Sequence, residues 1–132
     1  MISGNEFHHI GIACTDFNRE QLAFAALGYA AEGPDFEDPI QGIRGRFLTG
    51  GGPRLELVSQ LARGGVLEDW LKRGVKFYHM AYTVENMDAA IAAALERRGK
   101  LIVAPVPAVA FNGRNICFMM MPNMALVEWI ER

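Results

Sequence analysis

Residues 7–17, FHHIGIACTDF, align without a gap with residues 77–87, FYHMAYTVENM, which sets His9 on His79 at a spacing of 70. A second match sets RLELV (54–58) on LVEWI (126–130), and therefore Glu56 on Glu128 at a spacing of 72. Self-similarity at a nearly fixed period marks a structural unit written twice. The elements around both anchors follow the same order. Residues 7–14 read as a strand, and Thr15-Asp16 can cap a helix that runs to Leu27 and closes at Gly28. A short strand (29–32), a loop (34–42) and two strands (43–49 and 54–60) around the turn Gly50-Gly51-Gly52-Pro53 complete the first copy.

The second copy begins after a short connecting helix at 66–73. It has a strand at 77–84, a helix from the cap Asn86 to Arg98 that Gly99 closes, and a short strand at 101–104. A loop at 105–114 leads into a hairpin of 115–121 and 124–130 around Pro122-Asn123. The sequence thus predicts an α+β chain of two tandem βαβββ modules in one domain, 1–132. Module one covers about 5–60, the linker helix 66–73, and module two about 76–131.

Composition narrows the function. A net charge of −2 with 21% charged residues gives no basic footprint for nucleic acid. The longest apolar stretch, 101–111, contains Pro105 and Pro107 and is too short to span a bilayer. MISGNEF lacks the cationic start and apolar core of a secretion signal. Two cysteines, Cys14 and Cys117, are too few for a disulfide framework and read as free thiols in a reducing compartment, the cytoplasm. The expected partner is a small-molecule substrate, with no nucleic acid and no membrane, and the chain is expected to form a homodimer.

Side chains alternate across a strand. His9 therefore shares a face with Phe7, Gly11 and Ala13, and His79 shares one with Phe77, Ala81 and Thr83. The opposite faces carry Ile10, Ile12 and Cys14, or Tyr78, Met80, Tyr82 and Val84. The bulky face suits a covering helix, and the small-residue face leaves room for a cavity. His9 and His79 are thus the pair of interest, while His8 stands where Tyr78 stands in the repeat and suits packing.

Glu56 and Glu128 lie among large apolar neighbours, where a carboxylate must be paired, neutralised or bound to a metal. A pseudo-two-fold arrangement of the modules brings His9, Glu56, His79 and Glu128 to one place. Two imidazoles and two carboxylates suit one divalent metal ion: Zn, Ni, Co, Mn or Fe. Four protein ligands in an octahedral sphere leave two positions for substrate oxygens or water.

HHIGIACTD, LELVSQL, YHMAYTVENMDAAI and ALVEWIE together resemble the vicinal oxygen chelate superfamily of glyoxalase I, methylmalonyl-CoA epimerase, extradiol dioxygenases and bleomycin resistance proteins. That resemblance implies a curved mixed sheet, a cup around a metal, with helices outside. The His/Glu/His/Glu set is similar to that of glyoxalase I. The second half, GGVLEDWLKRG through NICFM, and the segment PIQGIRGRF look closest to methylmalonyl-CoA epimerase. One position departs from that branch: where epimerases carry a second catalytic glutamate, this chain has Gly45.

The resemblance implies a metal-dependent lyase or isomerase of the glyoxalase or methylmalonyl-CoA epimerase type, moving a proton through a metal-stabilised enolate or enediolate. Glu128 is the first choice for the base and Glu56 the second. Arg54 and Arg114 are expected to grip an anionic group of the substrate, with Arg44 and Arg46 as weaker choices. Phe47 and Phe111 are expected to line its pocket. Trp70 reads as linker packing and Trp129 as lying under a helix. The alternatives are an Fe(II)-dependent extradiol-type dioxygenase and a non-catalytic binding or resistance protein of the same fold.

Overall fold

A computed structural model describes residues 5–132, so the first four residues of MISGNEF lie outside the described residues. Among those described there are nine strands, three α-helices and one 3-10 turn, with both parallel and antiparallel strand pairs. No helix among them is long and apolar enough to cross a membrane. The chain divides into two compact units, one of His9–Tyr78 and one of His79–Arg132 with the residues up to His8.

The His9–Tyr78 unit carries most of β1 (Glu6–Ala13), then α1 (Phe17–Ala25), β2 (Ala30–Ala31), β3 (Phe36–Asp38), β4 (Ile43–Thr49), β5 (Leu55–Gln60) and α2 (Glu68–Lys72). Its strands run in the order β2-β4-β5-β1, with β3 also paired to β4. β1 lies parallel to β5, and β4 forms an antiparallel hairpin with β5. The bulky face of these strands is the core. Ile12, Cys14, Leu48, Leu55 and Leu57 pack against Phe17 and Phe24 of α1. Ile12, Leu48 and Leu57 are fully buried, each contributing about 1.5–3 kcal/mol of apolar transfer free energy. On the other face Ala13, Ile43 and Val58 are covered by Leu67, Trp70 and Leu71, so the linker helix closes the far end of that face.

α1 starts where the sequence places it, with the Asp16 carboxylate accepting from the Arg19 amide at 3.1 Å. It ends at Ala25, short of Leu27, because Gly28 turns the chain at φ +98° into a close approach with the Gly50–Pro53 turn. The Tyr29 hydroxyl donates to the Pro53 carbonyl at 2.6 Å and locks that turn under the helix end.

The second unit holds most of β6 (Phe77–Val84), then α3 (Met87–Glu96), β7 (Lys100–Pro107), the 3-10 turn Val109–Phe111, β8 (Asn115–Met120) and β9 (Leu126–Glu131). The strand order is β6-β9-β8-β7, with β6 parallel to β9 and the other two pairings antiparallel. Asn86 accepts from the Ala89 amide at 2.9 Å, so cap falls on cap at the 70-residue spacing. Met87, Ala90 and Ala94 of α3 pack on Val84, Cys117, Met119, Val127 and Trp129, which puts Trp129 under a helix as expected. Phe7 meets Tyr82 edge-on at 5.7 Å and ties the first residues of β1 into this unit.

Three local expectations change. The 34–42 loop contains β3, because β4 has an open edge that Phe36–Asp38 can pair with. β7 runs through Pro105 to Pro107 rather than ending at 104; it is the last strand in its order, where a missing N–H disturbs no second neighbour, and its register shifts twice. The residue that turns α3 off is Arg98, at φ +66°, and Gly99 serves close approach instead: a Cβ there would lie 2.8 Å from the Ala94 carbonyl oxygen.

Gly50 combines φ +111° with a would-be Cβ 2.8 Å from the Gly28 carbonyl oxygen. Gly50→Ala is expected to lower unfolding stability by about 1–3 kcal/mol in urea titration. Gly33, which has open space around it, is the control, and Gly33→Ala should stay within about 0.5 kcal/mol of the parent.

Candidate metal centre

In the His9–Tyr78 unit the parallel register sets Gly11 directly across from Glu56. With no side chain on Gly11, the carboxylate is free to lean toward the residue two positions earlier. Glu56 Oε1 stands 3.1 Å from His9 Nε2. His9 is fully buried and Glu56 is 5% exposed.

The other unit repeats the arrangement. Ala81 lies across from Glu128, and Glu128 Oε1 stands 3.1 Å from His79 Nε2, both side chains buried. A small residue opposite each glutamate and a histidine two positions before it give the same pair twice.

An aromatic ring completes each copy. Phe47 is the antiparallel partner of Glu56 and meets His9 edge-on, centroids 5.4 Å apart and planes at 75°. Phe118 is the antiparallel partner of Glu128 and meets His79 edge-on at 5.2 Å and 87°. The rings give each imidazole an apolar flank that fixes its tilt. Phe118 is the residue beside a histidine that the sequence analysis does not single out. The signal for it was present: extending the strand match through β4 and β8 sets Phe47 on Phe118 at a spacing of 71.

Each unit thus offers one imidazole nitrogen and one carboxylate oxygen, His9 with Glu56 and His79 with Glu128, as donors of the kind that hold a divalent metal ion. The donor chemistry fits. Imidazole nitrogen and carboxylate oxygen are ligands for Zn, Ni, Co, Mn and Fe, and two carboxylates match the charge of a divalent cation. Leaving such carboxylates buried without a counter-charge would cost several kcal/mol.

A sequence profile of the Glyoxalase/Bleomycin resistance protein/Dioxygenase superfamily matches residues 8–118. The chain belongs to this superfamily. The match takes in His9, Glu56 and His79, and Glu128 lies beyond it. No curated protein matches the chain by sequence. Among solved structures, a hypothetical protein from Bacillus halodurans C-125 superposes with a TM-score of 0.80 at 24% identity, covering 98% of this chain and 96% of that one. Methylmalonyl-CoA epimerase from Mycobacterium tuberculosis gives 0.78 at 21%, covering 99% and 92%. A variant of the Streptomyces coelicolor methylmalonyl-CoA epimerase in complex with 2-nitronate-propionyl-CoA gives 0.76 at 22%, covering 96% of each chain. At these identities the likeness is one of fold.

Within this superfamily member the other candidates sit as follows. Phe47 flanks His9. Arg54 Nε contacts the Glu32 carboxylate at 3.2 Å, at the entry to β5. Arg114 Nε donates to the Phe111 carbonyl at 3.2 Å, and Phe111 packs edge-on against His8 at 5.2 Å. His8 thus has the packing role expected of it. Arg44 and Arg46 lie on the helix face, 4.9 and 5.4 Å from the centre of the Phe17 ring. The hydrogen bond from Arg46 holds the Asp35 carboxyl below its ordinary range. A cavity of about 550 Å³ in the second unit is lined by Met80, Tyr82, Val127 and Trp129, on the bulky strand face, and includes neither His79 nor Glu128.

Cys14 and Cys117 are buried, and burial, as the largest cause, pushes both thiols up to about 12. Both therefore stay protonated at neutral pH, which removes them as nucleophiles. A chromogenic disulfide reagent at pH 8 should find almost no reactive thiol in the native protein. It should find both cysteines of the sequence after denaturation. A fast-reacting thiol in the native protein would contradict this burial.

Proposed function

We propose that the protein is a metal-dependent lyase or isomerase in which His9, Glu56, His79 and Glu128 hold one divalent cation. The observation that carries this reading is the duplicated buried His–Glu pair, 3.1 Å in each copy and flanked by a phenyl ring each time. The substrate class is a small molecule with two neighbouring oxygens beside an acidic C–H: a 2-oxoacyl, hydroxyacyl or acyl-thioester compound. A bound divalent cation would polarise the substrate carbonyl and make the neighbouring C–H more acidic.

The chain supplies the rest. Glu128 accepts the proton from that carbon and returns it, with Glu56 as the second choice. Phe47 and Phe118 limit water around the carboxylates, which favours return of the proton to substrate. The buried thiols fit a reducing cytoplasm. The homodimer expected from the sequence belongs to the same reading and is checked by the mass of the purified protein in solution.

Elemental analysis of protein purified without added metal or chelator should find about one divalent ion per chain, absent from His79→Ala. Chelation should lower Tm by at least about 5 °C, because a ligand at a hundred times its Kd adds roughly 2.7 kcal/mol to the folded state. Wild-type protein that holds no metal, even after reconstitution, would leave a metal-free binding protein as the better account. On any substrate the wild type converts, Glu128→Gln should keep the metal and lose about 10²–10⁴-fold in kcat. Turnover retained in that variant would remove Glu128 as the base.

A further inference from the structure

Gly45 lies in β4 two residues before Phe47, and so on the face that carries Glu56 and His9. Its partner across the β3–β4 pairing is Phe36. A Cβ built on Gly45 would stand 2.1 Å from Cζ of Phe36 and 2.6 and 2.7 Å from its two Cε atoms. The phenyl ring occupies the space a side chain at 45 would need. Phe36 also stacks on Phe47, centroids 5.7 Å apart and planes at 29°. Phe47 in turn meets His9 edge-on. A continuous aromatic surface therefore runs from Gly45 to the first His–Glu pair.

That surface is accessible where the pair is not: Phe36 and Phe47 are half-buried, while His9 and Glu56 are buried. Its back is fixed, since Phe36 packs on the cluster of Ala13, Ile43, Val58 and Leu67. The neighbouring carboxylates of β3 do not replace the missing acid. Glu37 is exposed and pairs across the strands with Arg44, whose side chain lies on the helix face. Asp38 is fully buried, and its two oxygens accept from the Gln41 amide at 3.1 Å and the Gln41 side chain at 2.9 Å.

We infer that Phe36, lying on Gly45 and stacked on Phe47, is a specificity-determining residue that selects ligands carrying an aryl or bulky alkyl group beside their metal-binding oxygens. This rests on the metal reading above. A substrate placing a carboxylate or phosphate against this wall would lose hydration without gaining a partner. An apolar substituent would instead lie on two rings held at a fixed tilt.

Two hydroxamates that chelate through the same pair of oxygens test this: acetohydroxamate, with a methyl group, and benzohydroxamate, with a phenyl. Binding to metal-loaded protein is followed by titration calorimetry, which needs no substrate. The wild type should bind benzohydroxamate at least about tenfold tighter than acetohydroxamate. In Phe36→Ala the ratio should fall below about threefold, with acetohydroxamate affinity kept within about twofold. Should Phe36→Ala fail to fold, Phe36→Leu, which keeps the apolar core contact, carries the same expectation. Equal affinities in the wild type, or a preference that survives both variants, overturns the role of Phe36 and leaves the metal reading standing. Metal-loaded wild type that binds neither hydroxamate overturns the role of Phe36 alone, whereas a chain that takes up no metal by elemental analysis overturns the metal reading itself.

Discussion

A carboxylate buried inside a sheet needs a partner from a neighbouring strand, and in both units parallel pairing provides it. Gly11 faces Glu56 and Ala81 faces Glu128, so each carboxylate has open space on its register partner and a histidine two residues away. Parallel strands cannot be joined by a tight turn; they need a crossover, which here begins with a helix. Hence β1 and β6 are each followed at once by a capped helix, α1 from Asp16 and α3 from Asn86. The helices need the bulky face of the strands, which leaves the face with small residues for His9 and His79. Cap, helix, core and His–Glu pair follow from one pairing geometry.

The parts legible in the sequence are those set by alternation along a strand or by a side chain's own bond to the backbone. The His9 and His79 faces, the caps Asp16 and Asn86, and the burial of Trp129 all belong to that class. What was less legible depends on strands meeting across long stretches of chain. The segment 34–42 carries Pro34, Asp35, Asp38 and Pro39 and reads as a loop; β3 forms because β4 has a free edge and Gly45 leaves a space the size of a ring. β7 likewise runs past two proline signals because its position at the end of the order tolerates them. Phe118 needed the register of β8 on β9 before its place beside His79 could be seen.

The two copies agree at four kinds of position: the histidine, the glutamate, the small residue across from the glutamate, and the ring beside the histidine. They differ next to these. The β4 position that pairs with Val58 is Gly45; the β8 position that pairs with Ile130 is Ile116. The partner of Gly45 is Phe36, and the partner of Ile116 is Val106. A large residue over a glycine on one side corresponds to two branched aliphatic residues on the other. Each pair fills comparable space, as close packing demands, but they present different surfaces.

That division separates two kinds of constraint. Positions repeated in both units hold the buried charges, and changing either member of a His–Glu pair would leave the other buried without its partner. The Phe36–Gly45 and Val106–Ile116 pairs bear no charge, so their side chains can exchange volume while the strand register stays in place. A duplicated scaffold can therefore keep its buried His–Glu pairs and change the surface beside them at these pairs alone. At Gly45 the missing side chain is what lets Phe36 lie beside Phe47, so the smallest residue of the strand sets where the largest ring of its neighbour comes to rest.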